Sequence, residues 1–548
     1  MRNQFIFIFL FFALSTFGQS SSTSLQYKFR VSLKDKGQTA YTLQNPTQFL
    51  TQKSIDRKQR QNVTIDETDL PISPDYFNQL ELAGATVVTH SKWFKTITVQ
   101  VADSLSIQRI LTLPFVDTVQ YVWRGKENHP GLQVRPRLER RGVEAPNKGD
   151  NFFGVTEKQF EVHNAKNLIL AGFQGKGIEI GVIDAGFTNF DVIPWFENVD
   201  LRGYVDFVPL SDMFASSSHG TKVLSTMAIC QPGVMMGSAP EAAYWLMKSE
   251  DVRSEFPVEE DYWVRAIEYA DSLGIDVINT SLGYNNFDDE QLSYRITDLT
   301  GDYSFMSRAA NKAFDKGMLI VTSAGNEGNK PWRKITPPAD AKNAITVGAI
   351  GVDSLIASFS SHGFLEEGRV KPDVVSIGRA TVTIGDDGLL GFTNGTSLSS
   401  PFMAGLIASL WSVNPNLHRQ DLIDIVKQSS DRYLAPDSIF GNGIPNFQLA
   451  MRSVLATLPV VEAPLNEASF SVDRPTDNEF LVTLQQSDLA FSDWRIYLLN
   501  ESGDVITTHI LDQETLRISL PAASRRNSQH VHLLIKSPYR QKVYRFSL

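Results

Sequence analysis

Four short strand-like runs in the middle of the chain, three of them almost wholly apolar, limit its fold more than any other feature. They are IEIGVI at 178–183, DVINT at 276–280, MLIVT at 318–322 and AITVGAI at 344–350. Between them lie segments with helical spacing, 262–273 (YWVRAIEYADSL) and 306–316, each closed by a glycine, Gly274 or Gly317. A strand that is apolar on both faces must be covered on both faces. Strands of this kind alternating with helices therefore predict an α/β fold with a parallel sheet sandwiched between helices. In such sheets ligands bind beyond the carboxyl ends of the strands. The alternation runs from about 152 to 456.

The flanks read differently. Residues 27–33 alternate like a strand, 47–61 form a polar, basic helix and 75–82 add a short one. Two strands over 85–101 joined near Ser91, a helix at 104–113 and a strand at 117–123 complete a β-α-β-β-α-β order. That order predicts a ferredoxin-like α+β domain over 20–124. Residues 125–151 (with HPGLQVRPRLERRGVEAPNKGD) lack apolar periodicity and read as an exposed linker. After a proline-containing joint at 457–464, residues 465–548 carry the alternating runs EFLVTL, WRIYLLN, HVHLLIK and KVYRFSL, the pattern of a small all-β module.

The first residues set the compartment. Arg2 supplies a positive start, 5–14 (FIFIFLFFAL) is an unbroken apolar core, and small residues precede Gln19. This reads as a secretory signal peptide over 1–18, too short to span a bilayer. No later stretch has transmembrane length, so the expectation is an exported or cell-surface protein without a membrane-spanning segment. A net charge of -10 argues against a nucleic-acid partner. A single cysteine, Cys230, rules out an intrachain disulfide.

Amide hydrolysis requires a nucleophile, a base, a group that orients the base, and donors for the oxyanion. Asp184 ends the first apolar strand, where a carboxylate can orient a histidine. His219 (in SHGT) opens a helix, which lets one ring nitrogen face that carboxylate and the other a serine. Ser397, in NGTSLSSPFMAG, sits at the start of another helix, where Gly395 permits a tight turn and Pro401 fits near the first turn. Its backbone N–H is then at the positive end of a helix. Asn326, in SAGNEG after the strand LIVTS, can supply a side-chain donor.

Taken together, these segments resemble the subtilisin-like serine peptidases, or subtilases, over roughly 152–455. The Asp motif is matched by VIDAG, the His motif by HGT, the Asn motif by SAGN and the Ser motif by GTSLSSP. Gly237-Ser238-Ala239-Pro240, Ala357-Ser358-Phe359-Ser360-Ser361, Lys371-Pro372-Asp373-Val374 and Phe440-Gly441-Asn442-Gly443 are further landmarks. Departures occur at Lys222-Val223-Leu224-Ser225, at Ser376-Ile377-Gly378 and at Ser399, and none removes a reacting group.

The resemblance implies a secreted serine endopeptidase with Asp184, His219 and Ser397 as catalytic residues and Asn326 in the oxyanion hole. It implies substrate contacts at Ser281, Leu282 and Gly283 and at Ser323, Ala324 and Gly325. Protein or peptide substrates are expected, and the first domain is expected to act as a propeptide that inhibits its own enzyme and is cut away in the basic linker. No cofactor is required for the chemistry and no metal ligand is assigned; 284–303 reads as a surface loop near the cleft, with a structural calcium site there the weaker reading. The C-terminal module is similar to the sorting domain of type IX secretion at 477–484, at 497–505 and in its basic, aromatic last strand. The usual Pro-Asn-Pro opening and late Gly-x-Tyr are missing. Secretion machinery is the partner this likeness implies. The alternative function is a catalytically silent peptide-binding or surface-attached protein of the same fold.

Overall fold

The computed structural model describes residues 25–126, 151–366, 368–485, 489–521 and 528–548. The signal-peptide reading and nearly all of the linker reading fall outside them.

The N-terminal domain is built from β1 (Leu25–Leu33), α1 (Gln52–Arg60), α2 (Pro74–Leu82), β2 (Thr86–Ser91), β3 (Thr96–Val101), α3 (Ile107–Leu111) and β4 (Val116–Lys126). The strands form one antiparallel sheet in the order β2-β3-β1-β4, the ferredoxin-like arrangement expected. One face buries Val31, Leu80, Ile97, Val99 and Ile110. The other face is polar, and so is α1. Lys28, Arg30 and Thr98 of that face, and Ser54, Arg57 and Lys58 of α1, are nonetheless buried, because they rest on the central domain.

The central domain contains a seven-stranded parallel sheet. Its elements are β5 (Glu179–Asp184), β6 (Asp200–Asp206), α4 (His219–Ala228), β7 (Ala243–Lys248), α5 (Val258–Leu273), β8 (Val277–Thr280), α6 (Phe305–Asp315), β9 (Leu319–Ser323), β10 (Ile345–Ile350), β11 (Val374–Ile377) and α7 (Thr396–Trp411). The order is β11-β10-β9-β8-β5-β7-β6. The four runs are its centre, and the α/β class is borne out. Sequence analysis leaves β6, β7 and β11 unassigned; β6 (DLRGYVD) alternates polar and apolar because it is an edge strand, half exposed.

Every residue of α7 is buried. A helix apolar all round belongs inside a domain, and α7 runs through the core with Phe402, Leu406 and Leu410. Pro401 departs from expectation: it lies in the second turn of α7, not the first. A proline there leaves the carbonyl four residues earlier, that of Ser397, without its helical donor. The Ser281 hydroxyl supplies one, donating to the Ser397 carbonyl at 3.0 Å.

The C-terminal residues form two four-stranded antiparallel sheets packed over Val472, Phe480, Ile496, Val531 and Phe546. Leu499 and Leu534 join the core of the central domain instead. Lys536 donates to the Gly172 carbonyl at 2.7 Å, and Arg545 to that of Ala456 at 2.8 Å.

The N-terminal domain is held by charges taken out of water. Arg30 grips Asp261 on α5 through two bonds of 2.7 and 2.6 Å, and Thr98 donates to the same carboxylate. Arg57 and Lys58 on α1 both meet Asp271, and Lys316 reaches Asp69 at 2.7 Å. Burial alone would raise the Asp271 carboxyl, but Lys58 and Arg57 outweigh it and bring it down to about 2. Removing one partner of a buried pair strands the other. We therefore expect Asp261→Ala to lower the stability of the uncut chain by about 3–5 kcal/mol in urea unfolding. A loss under about 1 kcal/mol would mean that the Arg30 contact does not hold the two domains together.

Candidate active site

Asp184 ends β5, and its next two residues begin a turn in which Gly186 has φ +150°. His219 is the first residue of α4. The two segments touch backbone to backbone: the Gly220 N–H donates to the Gly186 carbonyl at 2.9 Å. A Cβ on Gly220 would lie 2.5 Å from that carbonyl oxygen, so any larger residue would push helix and strand apart. This contact brings the imidazole to the carboxylate. Nδ1 of His219 lies 2.7 Å from Oδ1 of Asp184, which also accepts from the Ala185 N–H at 2.8 Å.

An ionised carboxylate only accepts, so Nδ1 carries the proton and Nε2 presents a lone pair. Asp184 is fully buried, and its other oxygen has no hydrogen-bond partner among the described residues. His219 is about a third exposed at the mouth of the cleft. Burial would lower its pKa, but the charge and hydrogen bond of Asp184, then the charge of Glu250, raise it above the usual imidazole value.

Ser397 is the second residue of α7, 8% exposed. Gly395 before it has φ +150°, a region that residues with a Cβ avoid. The Ser397 hydroxyl rests against the Ser281 carbonyl at 3.4 Å. Beneath, Asn279 ties the loop to the helix: Ser400 donates to its Oδ1 at 2.7 Å, and its Nδ2 donates to Ser281 at 3.2 Å. Asn326 has its Oδ1 occupied by the N–H and hydroxyl of Thr396, at 2.9 and 3.1 Å. Those two donors fix the orientation of the amide and leave Nδ2 for the cleft.

One cleft of about 350 Å³ is lined by His219, Ser281, Leu282, Gly283, Ser323, Gly325, Asn326 and Ser397. Asp184 stands behind His219, and Ala324 is buried beneath the wall rather than lining it. The structure thus gathers the sequence-predicted residues around one concavity. Other lining residues include Glu250, Glu255 and Lys330, which sequence analysis does not single out, and Tyr284 and Asn285, which open the stretch it reads as a loop near the cleft. The two glutamates lie in the connection from β7 to α5, and nothing in their spacing marks them. The stretch 284–303 is less of a surface loop than expected. Tyr284 and Phe287 belong to the core, and Tyr284, Phe287, Tyr294 and Tyr303 form a chain of ring contacts.

With the geometry in place, comparison with known proteins is decisive. The profile of the Subtilase family matches residues 175–443, and that of the Peptidase S8 propeptide domain of Bacteroidota matches 28–135. Residues 175–443 are a subtilase-family domain. The subtilase domain is similar to Subtilisin E of Bacillus subtilis (strain 168), with 29% identity over 51% of this chain and 67% of that one. It is similar in the same degree to Subtilisin of Bacillus pumilus, covering 92% of that protein. Among solved structures, the epidermin leader peptide processing serine protease of Staphylococcus aureus shares the fold. Its TM-score is 0.54 at 15% identity, over 80% of this chain and all of that one. The chain therefore carries a serine-peptidase domain of the subtilase family behind a propeptide domain.

The environment of the subtilase imidazole can be tested directly. An NMR titration should give His219 a pKa above the usual imidazole value, and Asp184→Asn should lower it, since among the raising influences named above only the charge of Glu250 then opposes burial. An unchanged value in the variant would mean that the carboxylate does not govern the ring.

Proposed function

We propose that this protein is an exported serine endopeptidase, made as a precursor that processes itself, with Ser397 as nucleophile. The observation that carries the proposal is the 2.7 Å contact between Asp184 and Nδ1 of His219, which leaves Nε2 basic in the cleft that holds Ser397.

In the proposed mechanism the Ser397 hydroxyl turns from the Ser281 carbonyl toward Nε2 as substrate enters; such bonds often tighten only in the complex. His219 takes the proton as Oγ attacks the scissile carbonyl, then returns it to the leaving amine. Asp184 holds the tautomer and stabilises the imidazolium without taking the proton. The Ser397 N–H, on the first turn of α7, and Nδ2 of Asn326 receive the oxyanion. Water then hydrolyses the acyl-enzyme. Ser281, Leu282 and Gly283 on one wall, and Ser323 and Gly325 on the other, hold the substrate backbone and the side chain before the scissile bond.

We assign 1–18 as the signal peptide and 125–151 as the processing region. Docking of the N-terminal domain on α5 supports an inhibitory role: Trp123, near the end of β4, donates to Ser254 at 3.2 Å, beside the cleft residue Glu255. The C-terminal sheets we read as a lasting part of the enzyme rather than a detachable sorting tag, because Leu499 and Leu534 are built into the subtilase core.

Purified Ser397→Ala should neither cleave casein nor shorten its own N-terminus, while wild type does both. Continued self-shortening of the variant would sink the autocatalytic route. Asn326→Ala should keep KM within a few-fold and lose ~100- to 1000-fold in kcat, a magnitude taken from enzymes of this type rather than from this chain. A loss under about tenfold would remove Asn326 from the oxyanion site.

A further inference from the structure

On the His219 side of the cleft the wall is acidic. Glu250 and Glu255 both line it, and neither side chain has a hydrogen-bond or ion-pair partner among the described residues. Glu259 lies fully buried just behind them, its oxygens taken by the N–H groups of Asp251 and Phe256. Tyr284 completes the group: 1% exposed and lining the same cleft, it has a hydroxyl with no partner. Burial, and then the charges of Glu259, Glu250 and Glu255, push that hydroxyl well above its ordinary pKa.

The cations nearby are engaged elsewhere. Lys248 donates to Ser211 at 2.8 Å and faces Asp206 at 3.7 Å. Arg253 clasps Asp251 and donates to the Pro209 and Leu210 carbonyls. Burial and the Asp184 charge accordingly push Glu250 up to about 7, and burial and Glu250 push Glu255 up to about 7. Lys330, which also lines the cleft, pairs with Glu327 at 2.7 Å, and the charge that acts on Glu250 from within the site is that of His219. Like charges crowded into a concave, half-buried wall without an ion-pair partner of their own are unfavourable until something positive arrives. Among the described residues no group of three or more His, Cys, Asp or Glu side chains is placed to hold a metal ion.

We propose that Glu250 and Glu255, backed by the Tyr284 hydroxyl, form a subsite for a lysine or arginine side chain of the bound peptide, on the N-terminal side of the scissile bond. The two carboxylates accept from an ammonium or guanidinium, and the phenol oxygen offers a further acceptor. Suitable chemistry exists within this chain: the expected processing region carries Arg135, Arg137, Arg140 and Arg141. This inference rests on the peptidase reading and adds the specificity of the same cleft.

The test uses processed wild type, Glu250→Gln and Glu255→Gln with fluorogenic peptides in which one position at a time carries lysine, neutral norleucine or glutamate. At one position N-terminal to the cut, wild type should prefer lysine over norleucine by roughly tenfold or more in kcat/KM. That ratio should fall toward one in each variant, with unfolding temperatures unchanged or higher because a repelling charge has gone. Equal use of lysine and norleucine at every position, or a lysine preference that survives both substitutions, would overturn the subsite. Fluorophosphonate labelling of Ser397 separates the two levels: an enzyme labelled but indifferent to charge loses only the subsite. A wild type that is neither labelled nor cleaves any peptide loses the peptidase reading and the subsite with it.

Discussion

Much of this molecule depends on one close approach, that of the Gly186 and Gly220 backbones. Their hydrogen bond leaves no room for a side chain, so the end of β5 and the start of α4 meet at main-chain distance. Asp184 and His219, two and one residues away, are then forced into contact, the carboxylate buried and the imidazole at the mouth of the cleft. The low-dielectric surroundings strengthen the pairing of imidazole and carboxylate, and pairing overcomes the burial that would otherwise keep the ring neutral. A site assembled in this way is rigid before any substrate arrives, which is the main requirement for stabilising charge that develops during reaction.

The serine side of the cleft follows the same logic with other residues. Pro401 interrupts the helical hydrogen bonds of α7, and the carbonyl it frees belongs to Ser397. Ser281, on the loop that follows β8, fills the gap, and Asn279 and Ser400 brace that contact from below. One proline thus couples the candidate nucleophile to the opposite wall of the cleft.

The N-terminal domain is attached by a different physical device. Its interface with α5 and α6 is rich in buried charges, among them Arg30, Arg57, Lys58, Asp261, Glu268 and Asp271. Apolar surfaces of equal size would bind as well with less desolvation, but they would tolerate slippage. Paired charges that must all be satisfied allow one register only. The basic helix α1 illustrates this: read as a solvated surface it has no role, whereas against Asp271 it is a set of ligands for a buried carboxylate. Glu250 and Glu255 on the cleft wall show the converse, carboxylates with no hydrogen-bond or ion-pair partner among the described residues.

Sequence by itself determined the classes of structure and the candidates for the reacting groups. Apolar runs with no polar face dictate a covered parallel sheet, alternation with helices dictates its connections, and motif glycines mark where backbones must approach. Asp184, His219, Asn326 and Ser397 were legible because each lies at a strand end or helix start, where local chemistry and position are read from neighbouring residues. Tertiary structure alone decided what faces the cleft beyond them. Glu250, Glu255 and Tyr284 lie in connections with no periodicity, and whether such a residue lines a pocket or meets solvent depends on elements distant in the chain. The same holds for Leu499 and Leu534, ordinary strand residues until packing places them in the core of another domain. Local propensity is written in consecutive residues, whereas burial and unpaired charge are properties of surfaces that exist only once the chain has closed on itself.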